Sequence, residues 1–98
     1  MKTTKDFEKL AKDNDITVIY YDCSNRPLKA FIIRVDDKFY IMIDSNVPDV
    51  KKRELLAQEL AHFFTKTFYC VNDSEKEKIN KENIANAYMR KELLNDEK

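Results

Sequence analysis

Apolar residues recur along the chain in two rhythms, and the changes between them mark out helices and strands. In residues 3–13, Phe7, Leu10 and Ala11 lie three to four positions apart or side by side on one stripe. That spacing predicts a short amphipathic helix, capped by Thr3 or Thr4 and ended by Asn14-Asp15. From Ile16 to Tyr21 the residues are β-branched and aromatic, which predicts a strand. Asp22-Cys23-Ser24-Asn25-Arg26-Pro27 is turn chemistry, since Pro27 lacks an N–H and Asn25 tolerates a left-handed backbone. Residues 28–35 and 38–44 then alternate as two further strands, joined by Asp36-Asp37 in a tight hairpin. Both strands carry apolar side chains on both faces, so helices are expected to cover one face and part of the other.

Ser45-Asn46-Val47-Pro48-Asp49 leads into a second helix over residues 50–69, with Asp49 expected as its N-cap and Ser45 or Asn46 as an earlier start. Leu56, Leu60, Phe63 and Phe64 form its broad apolar face. Lys51-Lys52-Arg53 opposes the helix dipole at a cost of up to about 1 kcal/mol each, and reads as a solvated helix start. Cys70-Val71-Asn72-Asp73 connects to a capping box, Ser74-Glu75-Lys76-Glu77, which starts a last helix running to Leu94. Tyr88 and Met89 are expected core contacts of that helix, and Asn95-Asp96-Glu97-Lys98 a frayed end. The order of helix, three strands, helix and helix predicts one α+β domain around a small three-stranded antiparallel sheet.

Composition narrows what such a domain does. Ninety-eight residues support one modest core. Eighteen Lys and Arg balance eighteen Asp and Glu, so no net field draws the chain to nucleic acid or to a membrane. No apolar stretch follows Met1-Lys2-Thr3-Thr4-Lys5, and none is long enough to span a bilayer, so a cytoplasmic chain without a signal peptide is expected. Cys23 and Cys70 are too few for a disulfide framework and are expected as reduced thiols. The chain has no glycine. Phosphate-binding loops, dinucleotide fingerprints and nucleophile elbows all need one, so those activities are excluded, and turns of positive φ fall to Asn or Asp.

The chemistry gathers in Leu55-Leu56-Ala57-Gln58-Glu59-Leu60-Ala61-His62. On a helix, Gln58 and His62 are neighbours on one face, with Glu59 one step round. With histidine at position 58 this would be H-E-x-x-H, in which two imidazoles hold zinc and the glutamate is general base. Taken alone, the pentapeptide also fits a surface Glu and a partly buried His bonded to backbone. Glu82 on the later helix is placed to supply a third ligand.

These segments resemble the ImmA/IrrE-type metallopeptidases of mobile elements and stress regulators, over about residues 16–94. The resemblance is carried by Phe39-Tyr40-Ile41-Met42-Ile43, by Arg53-Glu54-Leu55-Leu56-Ala57-Gln58-Glu59-Leu60-Ala61-His62, and by Glu82-Asn83-Ile84-Ala85-Asn86-Ala87-Tyr88. It implies a minimal zincin-like fold, with Gln58, His62 and Glu82 at the zinc-ligand positions and Glu59 as general base. It also implies a protein partner, a helix-turn-helix repressor, and no direct contact with nucleic acid. Asn86, one turn from Glu82, either supports that ligand or is merely exposed.

The chain departs from the family pattern at Gln58, at Ala61 in place of a common glycine, and in lacking the usual Leu-x-Pro after the last helix. Only Gln58 bears on chemistry. His62 is the single histidine, and Cys23 or Cys70 reads better as a small buried hydrophobe than as a substitute ligand. Zinc lowers the pKa of its bound water from about 15.7 to about 7, worth roughly 11–12 kcal/mol. General base catalysis contributes only about 3–5 kcal/mol, so Glu59 cannot replace a lost metal. The sequence therefore predicts a peptidase fold with zinc weak or absent and proteolysis impaired or lost. The alternative is a pseudo-peptidase that grips a repressor-like protein without cutting it, both forms offering a strand edge near the motif helix for peptide addition. A nucleic-acid-binding domain is disfavoured by the balanced charge.

Overall fold

A computed structural model describes residues 2–23, 25 and 27–94. Ser24 and Arg26 of the expected turn, and the expected frayed end at 95–98, lie outside the described residues. The first helix, α1 (Thr4–Asp13), is capped by Thr3, whose hydroxyl accepts from the Asp6 N–H at 3.2 Å while Asp6 Oδ2 accepts from the Thr3 N–H at 2.8 Å. This reciprocal pair satisfies two donors that a helix start otherwise leaves open. Phe7 and Ala11 are fully buried beneath it.

The strands are β1 (Ile16–Tyr21), β2 (Ala30–Val35) and β3 (Lys38–Asp44). β2 and β3 form the expected hairpin, with Asp36 and Asp37 at φ 51° and 68° in the two left-handed positions that a tight turn demands. β2 begins two residues later than expected, at Ala30. The sheet is mixed rather than wholly antiparallel. Its order is β1-β3-β2, and β1 runs parallel to β3, Ile16 opposite Phe39 and Tyr20 opposite Ile43. The physical reason lies in β3, whose Ile41 and Ile43 are fully buried and whose Asp44 is 1% exposed. The most enclosed strand takes the centre, and because β1 and β3 both run opposite to β2, β1 beside β3 is its parallel neighbour.

Phe39, Ile41 and Ile43 of β3, Ile16 of β1 and Ala30 of β2 face the helices and form the core with Leu56, Leu60 and Ala61. On the opposite face, Ile19 and Ile33 are exposed, and Phe31, Tyr40 and Met42 are only partly buried. Helices thus cover one face, without the partial cover expected on the other.

The motif helix is α2 (Asp49–Thr65). Its N-cap is Pro48, not Asp49, and Asp49 is turned instead toward α1, where Thr4 Oγ1 lies 3.4 Å from its Oδ2. The helix stops four residues short of the expected Tyr69. Lys66 turns left-handed at φ 57°, and the Thr67 N–H closes the end on the His62 carbonyl at 3.0 Å. The cations of its first turn are absorbed locally: Lys51 pairs with Glu54 at 3.1 Å, Lys52 lies over the Tyr20 ring, and Arg53 donates to the Lys2 carbonyl at 2.5 Å. The last helix, α3 (Glu75–Tyr88), starts on the expected Ser74–Glu77 capping box. It continues as a π-helical turn, Met89–Leu93, not as α-helix, and this wider turn carries Leu93 into the core at 4% exposure. Tyr88 and Met89 pack on the core as expected, as do Phe63 and Phe64.

Candidate functional site

Gln58, Glu59 and His62 share the face of α2 that looks toward β2 and α3. They line a cleft of about 540 Å³ together with Glu82, Leu55, Phe68, Tyr69 and residues 28–33. Helical spacing puts Gln58 and His62 one turn apart, and the packing of α3 brings Glu82 up to both. The Gln58 Nε2 group donates to Glu82 Oε2 at 2.6 Å. His62 Nε2 lies 3.4 Å from Glu82 Oε1, the oxygen to which the Tyr69 hydroxyl also donates. Burial and the adjacent Glu82 raise the Tyr69 hydroxyl above its ordinary pKa, which keeps it a donor.

His62 is buried and its orientation is fixed from behind. Its Nδ1 lies 3.0 Å from both the carbonyl and the hydroxyl of Thr67. A carbonyl only accepts, so Nδ1 carries the proton and Nε2 faces Glu82. Thr65 extends the chain of bonds, its hydroxyl 2.7 Å from both Thr67 Oγ1 and the Ala61 carbonyl. This tautomer, with the far nitrogen tied to a carbonyl, is the one a metal-binding imidazole adopts.

The three positions can therefore be tested against zinc. Bonds of about 2.0–2.1 Å set neighbouring tetrahedral ligand atoms roughly 3.3–3.4 Å apart. The His62–Glu82 separation of 3.4 Å fits that edge. Gln58 does not fit. It presents an N–H, not its oxygen, to the carboxylate, and at 2.6 Å the pair is closer than two ligand atoms on one zinc would be. Among the described residues, no group of three or more His, Cys, Asp or Glu side chains is placed to hold a metal. The residues present thus match a zinc set at His62 and Glu82 and fail at Gln58.

Glu59 is 8% exposed. Burial, and then the charge of Glu82, push its carboxyl up to about 7 from 4.5. Such a group accepts or releases a proton near neutrality. Water activation of the metalloenzyme kind needs a metal that this donor set does not fit.

The structure thus brings Gln58, Glu59, His62 and Glu82 to one cleft and leaves other candidates outside it. Asn86 makes no side-chain hydrogen bond among the described residues. Cys23 is buried at 2% exposure, its N–H directed at Asp44 Oδ1, and Cys70 is exposed, its sulfur 3.7 Å from Lys81 Nζ. Neither cysteine lines the cleft. Sequence reasoning missed Thr67 and Tyr69, because it continued α2 through both. The only available signal was the pair of threonines, Thr65 and Thr67, soon after the histidine. No protein-family model matches the chain, and comparison with curated proteins and with solved structures found no match.

Proposed function

We propose that the chain is an ImmA/IrrE-like, metallopeptidase-fold protein whose proteolysis is impaired or lost, and that it holds an extended segment of a repressor-like protein partner in the cleft beside β2. The observation that carries this reading is the 2.6 Å bond from Gln58 to Glu82. It directs the amide N–H, which cannot ligate a metal, at the carboxylate that would be the third ligand. What remains is a cleft with apolar walls and a strand along one side. β2 ends the sheet order, so among the described residues one of its edges has no partner strand, and extended peptides add to such edges by main-chain hydrogen bonds. Among the described residues no helix is long and apolar enough to cross a membrane. A cytoplasmic partner is part of the same proposal.

A second reading, a weak zinc peptidase active only at high metal, is favoured by the 3.4 Å spacing of His62 and Glu82. Metal analysis separates the two. The protein purified without a polyhistidine tag is expected to carry well under one zinc per chain, and Gln58→His to gain a full equivalent. Stoichiometric zinc in the unmodified chain would sink the first reading. Failure of the histidine variant to gain zinc would remove Glu82 from the ligand set.

A further inference from the structure

Glu59 is nine-tenths buried, lines the cleft, and makes no hydrogen bond or ion pair among the described residues. Its neighbour Glu82 is differently placed, accepting from Gln58 and Tyr69 with His62 Nε2 3.4 Å away. Lys29 lines the same cleft, but its Nζ is turned away to Asp44, 3.3 Å from Oδ2. The floor therefore carries two carboxylates, and among the described residues no lysine or arginine is directed at them.

We propose that the cleft takes the side chain of a lysine or arginine from an extended partner segment, its cationic end on Glu59 beside Glu82 and its backbone along β2. This rests on the reading of the cleft as a groove for a protein segment. Residues 28–33 line the cleft consecutively, odd and even alike, as a strand does when approached from its edge. A segment added there sends alternate side chains toward α2. Leu55, Phe68 and Ala30 line the same cleft and suit the methylene stem of a long cation. A carboxylate nine-tenths shielded from water with no partner is costly, and a cation paired with it offsets the cost. A neutral side chain of equal length leaves Glu59 as it was. An acidic one adds a third negative charge.

Three blocked hexapeptides of alternating valine and threonine, with lysine, norleucine or glutamate at one central position, test this against the full isotope-labelled chain. Amide shifts of β2 read groove occupancy, and their titration reads affinity. The lysine peptide is expected to move β2 amides and to bind roughly tenfold or more tighter than norleucine, with glutamate weakest. In Glu59→Gln, the preference for lysine over norleucine should fall to within about twofold. Equal binding of lysine and norleucine to the unmodified chain, both moving β2, would overturn the cation site and leave the groove standing. If no peptide moves β2, the groove and the cation site fall together. The comparison on the unmodified chain decides the matter even if the variant does not fold, which its amide spectrum reports directly.

Discussion

Gln58 on α2 and Glu82 on α3 are joined by a 2.6 Å hydrogen bond from amide to carboxylate, across the boundary between the two helices. A bond to a charged acceptor contributes about 1.5–3 kcal/mol when buried. The Glu82 side chain is 34% exposed, which puts this one at the low end. Gln58→Ala is expected to destabilise the chain by about 1–2 kcal/mol, read from the urea midpoint at constant slope. A midpoint unchanged by the substitution would show that the contact between the helices does not depend on this bond.

Glu59 has the opposite relation to stability. Its folded pKa is raised to about 7 from 4.5, so folding favours the protonated carboxyl. That contribution is fully present below the unfolded value and is lost as pH rises through the folded one. Between those two values the chain should lose on the order of 3 kcal/mol relative to a chain without this group. Glu59→Gln should flatten the slope and be the more stable protein at about pH 8. Urea unfolding of both chains across this range checks it, and parallel stability curves would sink the assignment.

Asp44 behaves in the reverse sense. The Asn46 N–H, 3.0 Å from Oδ1, is the main cause of a carboxyl held below its ordinary 3.8, with Lys29 and the Cys23 N–H adding to it. A lowered folded pKa gives stability that is present above the unfolded value and lost as pH falls through the folded one. Asp44→Asn should therefore melt lower at about pH 6, and the gap should narrow as pH falls below the ordinary carboxylate range. A gap that stays constant into acid would contradict a charged Asp44 in the folded chain.

Lys66 ends α2 with φ at 57°, a conformation in which its Cβ crowds the backbone. Its side chain is exposed and contributes no burial to offset that cost. Lys66→Gly should raise stability by about 1 kcal/mol, seen as a higher melting temperature. A lower melting temperature would mean that the larger freedom of glycine in the unfolded chain outweighs the relieved crowding.

The same residue shows where the sequence stops being readable. Thr3 with Asp6, and Ser74 with Glu77, are caps made by residues three apart, so local chemistry was enough to place both helix starts. Asp36-Asp37 marked the hairpin for the same reason. Lys66 carries no such signal, and a chain without glycine conceals its left-handed helix end among ordinary residues. Reading α2 four residues too long kept Thr67 and Tyr69 on a helix, away from the histidine and carboxylate they support. The parallel partner of β1 was also hidden, since alternation within a strand does not say which neighbour it meets. At the site, helical spacing was enough to group Gln58, Glu59 and His62. It did not show that the amide would turn its N–H to Glu82.

The strand order has a consequence for how the chain comes together in time. β1 is made before β2 and β3, yet among the described residues its only partner strand is the one made last. The hairpin closes through a two-residue turn and needs nothing upstream, whereas β1 can join only after β3 is in place. During synthesis, Ile16 to Tyr21 therefore emerges as an apolar, β-prone segment that must wait, with α1 the nearest element able to shield it. On a chain still being made, the sheet can be completed only by its oldest strand.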